Sequence, residues 1–233
     1  MAERDSDVSI VGTASLLGLR NLRDLGGLAT RNGGVVRPGR FFRSSALSRF
    51  GVAQRQALAL LDLRWVIDLR SAAEMTKSGN AISLPGARIV QVPFFETARP
   101  NWSAPTDQTP QATANRYLEM LQEGLPCIAA VVLQVAQTNQ EPFILCCSAG
   151  RDRTGVVVAC LLDLLEVPEE TIAADYARSD LFDPQTGRAH PETMLELLAL
   201  LRTRYGSVRD LLAPHSIAED TLKTLRETLL VRT

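Results

Sequence analysis

A chain of 233 residues, 45% apolar and 22% charged, has the length and the apolar content for one large globular domain with a sizeable core. Its formal net charge of -1 gives no general attraction to nucleic acid or to an anionic membrane surface, so an anionic ligand has to be met by a local basic site. Two histidines (His190, His215) and four cysteines (Cys127, Cys146, Cys147, Cys160) show no zinc-ligand spacing and no disulfide framework; this predicts no metal, no cofactor and a reduced, cytoplasmic setting.

Residues 1–13 carry Glu3, Arg4, Asp5 and Asp7 and no apolar leader run, and are expected to form a flexible tail ahead of one domain over 14–233. Asn21, Arg23 and Asp24 form a polar cluster before Gly26-Gly27, expected to be a turn network that supports a loop elsewhere in the fold. The first strand is predicted at Arg40–Phe42, with Arg43 beside it as a second brace. Alanines and leucines at helical spacing predict a helix over Val52–Leu63. Strands follow at Trp65–Leu69, where Asp68 is expected to pair with Arg70, and at Arg88–Val92. Pro93, Pro100, Pro105 and Pro110 predict a long irregular loop over 93–110, of a kind that often closes over a site. Phe94, Phe95 and Trp102 suit its packing or a pocket wall, and Glu96 and Asp107 are its acidic side chains. Helices are predicted at Gln111–Gln122 and Ile128–Gln137. The apolar run 126–136 is too short to span a bilayer and the run 155–167 contains Asp163, so neither is expected to be an integral membrane segment. A fourth strand at Phe143–Cys146 precedes a strongly apolar helix at Thr154–Leu165, and amphipathic helices are predicted at Pro168–Arg178, His190–Arg204 and Ile217–Val231. Cys127 and Cys160 lie among apolar neighbours and suit the core; His190, ahead of Pro191, suits a helix start. Strands alternating with helices predict an α/β fold: a central, mostly parallel sheet of about four to five strands flanked by helices, with a helical C-terminal part.

The chemistry is concentrated in Phe143-Ile-Leu-Cys-Cys-Ser-Ala-Gly-Arg-Asp-Arg-Thr-Gly155, which runs from strand through a small polar loop into a helix. A loop at a helix N-terminus gathers unpaired backbone N–H groups and the positive end of the helix dipole, which favours phosphate-like anions and the thiolate form of a cysteine. Cys147, at the strand end, is the candidate nucleophile. Arg153 follows after five intervening residues, so that the turn of the loop brings its guanidinium to the same anion. Ser148, Ala149 and Gly150 are small enough for their backbone to approach a ligand, and the Thr154 hydroxyl is placed to point at the sulfur. Backbone donors plus an arginine match the charge that develops on the oxygens of a transferring phosphoryl group.

Cys-x5-Arg-Thr-Gly after a strand resembles the protein-tyrosine phosphatase signature. Asn21-Leu-Arg-Asp-Leu-Gly-Gly27, Phe42-Arg-Ser-Ser-Ala-Leu47, Val66-Ile-Asp-Leu-Arg-Ser71 and Tyr205-Gly-Ser-Val208 narrow the likeness to bacterial and fungal tyrosine phosphatases that also act on phosphoserine and phosphoinositides. The resemblance runs from about residue 18 onward and implies a cysteinyl-phosphate intermediate on Cys147, phosphate binding by Arg153, and Asp152 as a candidate general acid, with Glu96 and Asp107 on the long loop as rival acids. Arg151 stands where that family often has lysine, and a second cation beside the phosphate suits phosphoinositide as well as phosphoprotein substrates. The residue before the nucleophile departs from the pattern, being Cys146 where histidine is usual. That substitution bears on catalytic rate and offers a thiol that can pair with an oxidised Cys147. Two other functions remain open on sequence: a pseudophosphatase that binds phosphorylated ligands without turnover, and sulfur transfer on a rhodanese-like loop.

Overall fold

The structure is a computed structural model and describes residues 19–48, 50–81, 83–96, 107–181 and 189–232. Five strands form the central sheet: β1 (Arg23–Asp24), β3 (Phe41–Ser44), β6 (Phe143–Cys146), β4 (Trp65–Asp68) and β5 (Arg88–Gln91), in that spatial order. β1 runs antiparallel to β3, and all other pairings are parallel. The expected mostly parallel α/β sheet is therefore present, extended by the two-residue β1 and by a separate ribbon in which β2 (Gly34–Val36) pairs antiparallel with β7 (Leu230–Arg232).

Both faces of the sheet are covered, and the pleat of the strands sorts their side chains between two apolar clusters. Phe41, Ile67, Phe143, Leu145 and Cys147 fall on one face, and Phe42, Val66, Ile144 and Cys146 on the other. Phe41 and Phe143 stack across β3 and β6 with ring centroids 4.7 Å apart. Helix α1 (Val52–Ala59) supplies Leu58 to the second cluster; it is shorter than the 52–63 expected, because the chain turns at Leu60–Asp62. The larger cluster is built by α3 (Pro110–Ala136), α4 (Asp152–Leu164), α5 (Glu169–Ala177), α6 (Pro191–Tyr205), α7 (Val208–Leu212) and α8 (Glu219–Leu229). Ten of the thirteen residues of α4 are buried, as its apolar run predicts.

The structure corrects three sequence expectations here. The predicted helices 111–122 and 128–137 are one helix, α3, which continues through Pro126. Proline removes one hydrogen bond and crowds the preceding turn, yet Leu118, Leu121, Ile128 and Val132 on either side of it are buried, and this packing holds the axis together. α3 has the length and apolarity to cross a membrane, and here its apolar positions pack against α4, α6 and α8. The predicted terminal helix ends at Leu229, where Leu230 turns to extended backbone and begins β7. Finally, α2 (Ala72–Ser78) was not expected; Ser71 and Glu74 cap it reciprocally, each side chain bonding the other's backbone N–H.

Candidate active site

The loop 147–151 joins the end of β6, central in the sheet, to the start of α4. Cys147 is buried, and its sulfur accepts the Gly150 N–H at 3.3 Å. Gly150 has φ +72°, and a Cβ there would lie 2.3 Å from the Ser44 carbonyl oxygen, so the position takes only glycine without rearrangement. Ser148 is exposed, and its carbonyl accepts the Ala46 N–H at 3.1 Å, which fastens the loop to the chain leaving β3.

Arg153 is the cation of the site, and an unexpected partner holds it. Glu74, three residues into α2, accepts from its Nη1 at 2.8 Å and its Nη2 at 2.6 Å. The Ser148 hydroxyl is 3.1 Å from the same Nη2 and 3.2 Å from a Glu74 oxygen. Partial burial pushes the Glu74 carboxyl up, but the Arg153 bonds, the Ser71 N–H and the Arg153 charge outweigh it and hold the carboxyl at about 2. Arg153 loses some basicity to burial and regains more from the neighbouring Cys147 and Glu74, so it stays cationic. Ser71-Ala-Ala-Glu74 is a capping-box sequence, and that signal alone could have placed both α2 and this glutamate.

A second layer supports the loop from behind. Asn21 donates to the Gly150 carbonyl at 2.8 Å and to that of Ala149 at 3.3 Å, and Arg43 donates to Gly150 at 2.7 Å. Arg23 and Arg43 sit opposite each other in the β1–β3 register, so both side chains leave one face of the sheet and both reach Asp175 on α5 at 2.6 Å. Burial, then the like charge of Arg43, lower Arg23 to about 10 in spite of Asp175. Burial disfavours the Asp175 carboxylate, but the two arginines dominate and lower its pKa. Arg23 also donates to the Asn21 side chain. Asn21, Arg23, Arg43 and Asp175 thus form one buried network behind the loop. Asp24 instead bonds the Gly26 and Gly39 amides, at 2.9 and 2.6 Å, and so fixes the turns between β1 and β3. Asp175 is a member that sequence inspection did not single out.

Asp68 pairs with Arg70 at 2.6 Å, as expected, and Arg70 continues to the Ser78 hydroxyl and the Gly79 carbonyl at the end of α2. The pair thereby fixes the helix that presents Glu74. Cys146 ends β6 on the opposite face from Cys147; burial pushes its thiol well up, and all four cysteines are free. Cys127 and Cys160 are core residues whose thiols burial also raises, the former to about 12. The Thr154 hydroxyl is fully buried with no hydrogen-bond partner among the described residues, so it does not reach the sulfur in this arrangement. Arg151 contacts Asp152 at 3.3 Å, and Asp152 also accepts from the Tyr117 hydroxyl at 2.5 Å. Glu96 and Asp107 are exposed at the borders of residues 97–106; Trp102 and the middle of the expected loop lie outside the described residues. Among the described residues no group of three His, Cys, Asp or Glu side chains could hold a metal ion.

A tyrosine phosphatase family profile matches residues 14–231. A tyrosine-protein phosphatase of Nostoc commune is 26% identical over 207 residues, covering 77% of this chain and 70% of that protein. The triple specificity protein phosphatase PtpB of Mycobacterium tuberculosis is 32% identical over 179 residues, and the match spans 64% of each chain. Solved structures of P. aeruginosa TpbA, one of them a cysteine-to-serine variant in complex with pTyr, align with TM-scores of 0.36 and 0.38 at 13% and 11% identity. They cover 82% and 80% of this chain, and 96% and 91% of theirs. Together with a cysteine and an arginine on one strand–loop–helix turn, the profile shows that this chain belongs to the tyrosine phosphatase family and is a phosphatase of that class.

Proposed function

We propose that the chain hydrolyses phosphotyrosine through a cysteinyl-phosphate on Cys147. The observation that carries this reading is the convergence of Cys147, the Gly150 amide and a braced Arg153 at the start of α4. Glu74 occupies the Nη1–Nη2 edge of the guanidinium, which leaves the Nε side to turn toward a phosphate. In the first step the thiolate attacks phosphorus, the P–O ester bond breaks, and Asp152 delivers a proton to the departing oxygen. In the second, Asp152 takes a proton from water, whose oxygen attacks phosphorus and releases the thiolate and inorganic phosphate. Arg151 supports acceptance of phosphoserine, phosphothreonine or phosphoinositide headgroups as additional substrates, and four free thiols agree with a reducing cytoplasm.

The test is hydrolysis of para-nitrophenyl phosphate by freshly reduced protein with a chelator present, beside Cys147→Ser. Activity in the wild type that the variant loses is the expected result. If neither protein turns over and vanadate still raises the unfolding temperature, the hydrolytic reading fails and a phosphate-binding pseudophosphatase replaces it.

A further inference from the structure

Two buried phenols stand behind Asp152. Tyr117 on α3 and Tyr176 on α5 are 3% and 1% exposed and meet edge to face, with ring centroids 6.1 Å apart. Their hydroxyl oxygens are 2.9 Å apart, and the Tyr117 hydroxyl lies 2.5 Å from Asp152 Oδ1. Gly155 makes room for this arrangement: a Cβ there would lie 3.1 Å from the Tyr176 ring. Two phenylalanines would fill the same space with no hydroxyl to satisfy, so the chain of hydroxyls needs an explanation beyond packing. It ends on a side chain that is 41% exposed at the mouth of the phosphate loop.

The direction of the chain follows from charge. Burial and the Asp152 carboxylate push the Tyr117 phenol well up, and burial does the same to Tyr176, so both remain protonated at neutral pH. Tyr117 therefore donates to Asp152 and accepts from Tyr176. The Arg151 contact also ends on Oδ1, which leaves Oδ2 without a partner among the described residues. A carboxyl anchored by one oxygen presents the other to a proton-transfer partner.

We propose that Tyr117, backed by Tyr176, is a positioning residue that fixes Asp152 for proton transfer through Oδ2. This rests on the reading of Asp152 as general acid, and the test separates the two. Wild type, Tyr117→Phe, Asp152→Asn and the double variant are compared on para-nitrophenyl phosphate and on phenyl phosphate, whose leaving group needs the proton more. Tyr117→Phe should lower kcat about tenfold on phenyl phosphate and no more than about twofold on the activated ester, with KM unchanged. The double variant should be no slower than Asp152→Asn. Tyr176→Phe, which keeps the Tyr117 bond, should give the same pattern in weaker form, and it serves as the readout if Tyr117→Phe does not fold. Equal losses on both substrates, or a loss that multiplies onto that of Asp152→Asn, would overturn the positioning role while leaving Asp152 as the acid. An Asp152→Asn variant without leaving-group dependence would overturn both.

Discussion

Glu74 and Arg153 lie 79 positions apart and meet through two short, charged hydrogen bonds. A bidentate carboxylate fixes the plane of a guanidinium as well as its place, so the arginine reaches a phosphate already oriented. Glu74→Gln keeps the shape but can accept only one of the two bonds. It should reduce kcat/KM on para-nitrophenyl phosphate by about tenfold, the worth of one charge-assisted hydrogen bond, with little change in unfolding temperature. A kinetic comparison at pH 6 checks this. Since the Glu74 carboxyl is held at about 2, it stays ionised throughout the working range, and its titration does not set the acid limb of the activity profile. Cys147 and Arg153 were legible in the sequence because one turn of loop connects them and their spacing carries the chemistry. The capping box marks Glu74 as a helix-start residue, but its pairing with Arg153 has no sequence signal, because the two are remote along the chain. Asp175 escaped for the same reason: its two arginines come from β1 and β3.

Strand periods and helical spacing located β3, β4, β5 and β6 and most of the helices to within a few residues. Strands β1, β2 and β7 are two or three residues long, too short to show any alternation, and only their pairing defines them. The sequence predicts two helices where α3 is one, because proline is a local signal whereas the packing that overrides it is tertiary. The same helix shows how an element can be shaped for its neighbour. Gly124 sits within it where a Cβ would lie 2.2 Å from the Phe94 ring, and Phe94, just beyond β5, is buried in that slot. Gly124→Ala improves helix propensity by about 1 kcal/mol, but it forces the ring out of place at about 1–3 kcal/mol or more. The variant should unfold several degrees lower in a thermal melt, and adding Phe94→Ala should not lower it by the full sum of the two single losses, because the two share one contact.

Asp175 ties three remote parts of the molecule together: the segment around Asn21 and Arg23, the strand that ends in Arg43 and Ser44, and helix α5. The phosphate loop rests on two of these, through Asn21 and Arg43. Asp175→Asn leaves two buried arginines short of charge compensation and should cost about 3–5 kcal/mol. The pH dependence follows in sign. The Asp175 pKa is lowered in the folded protein, so its contribution is complete above the ordinary aspartate range and fades as pH falls through the lowered value. The wild type should therefore lose stability steeply below about pH 4, whereas Asp175→Asn should begin lower and fall less steeply, the two curves converging in acid. Denaturant titrations from pH 7 to pH 3 would show whether the gap closes.

Helix α4 begins at the phosphate loop and is buried along nearly its whole length between the sheet and α3, α5 and α7, and β6 is buried at every residue. Amides in such a strand and helix are expected to exchange with solvent only when the whole domain opens, which hydrogen exchange would show as high protection on both sides of the loop. The floor of the site is therefore expected to open only with the domain as a whole. Adjustments to ligands fall to the side chains that stand on it, Arg153, Ser148 and Asp152, and a mutation that loosens the floor is felt as a loss of the fold.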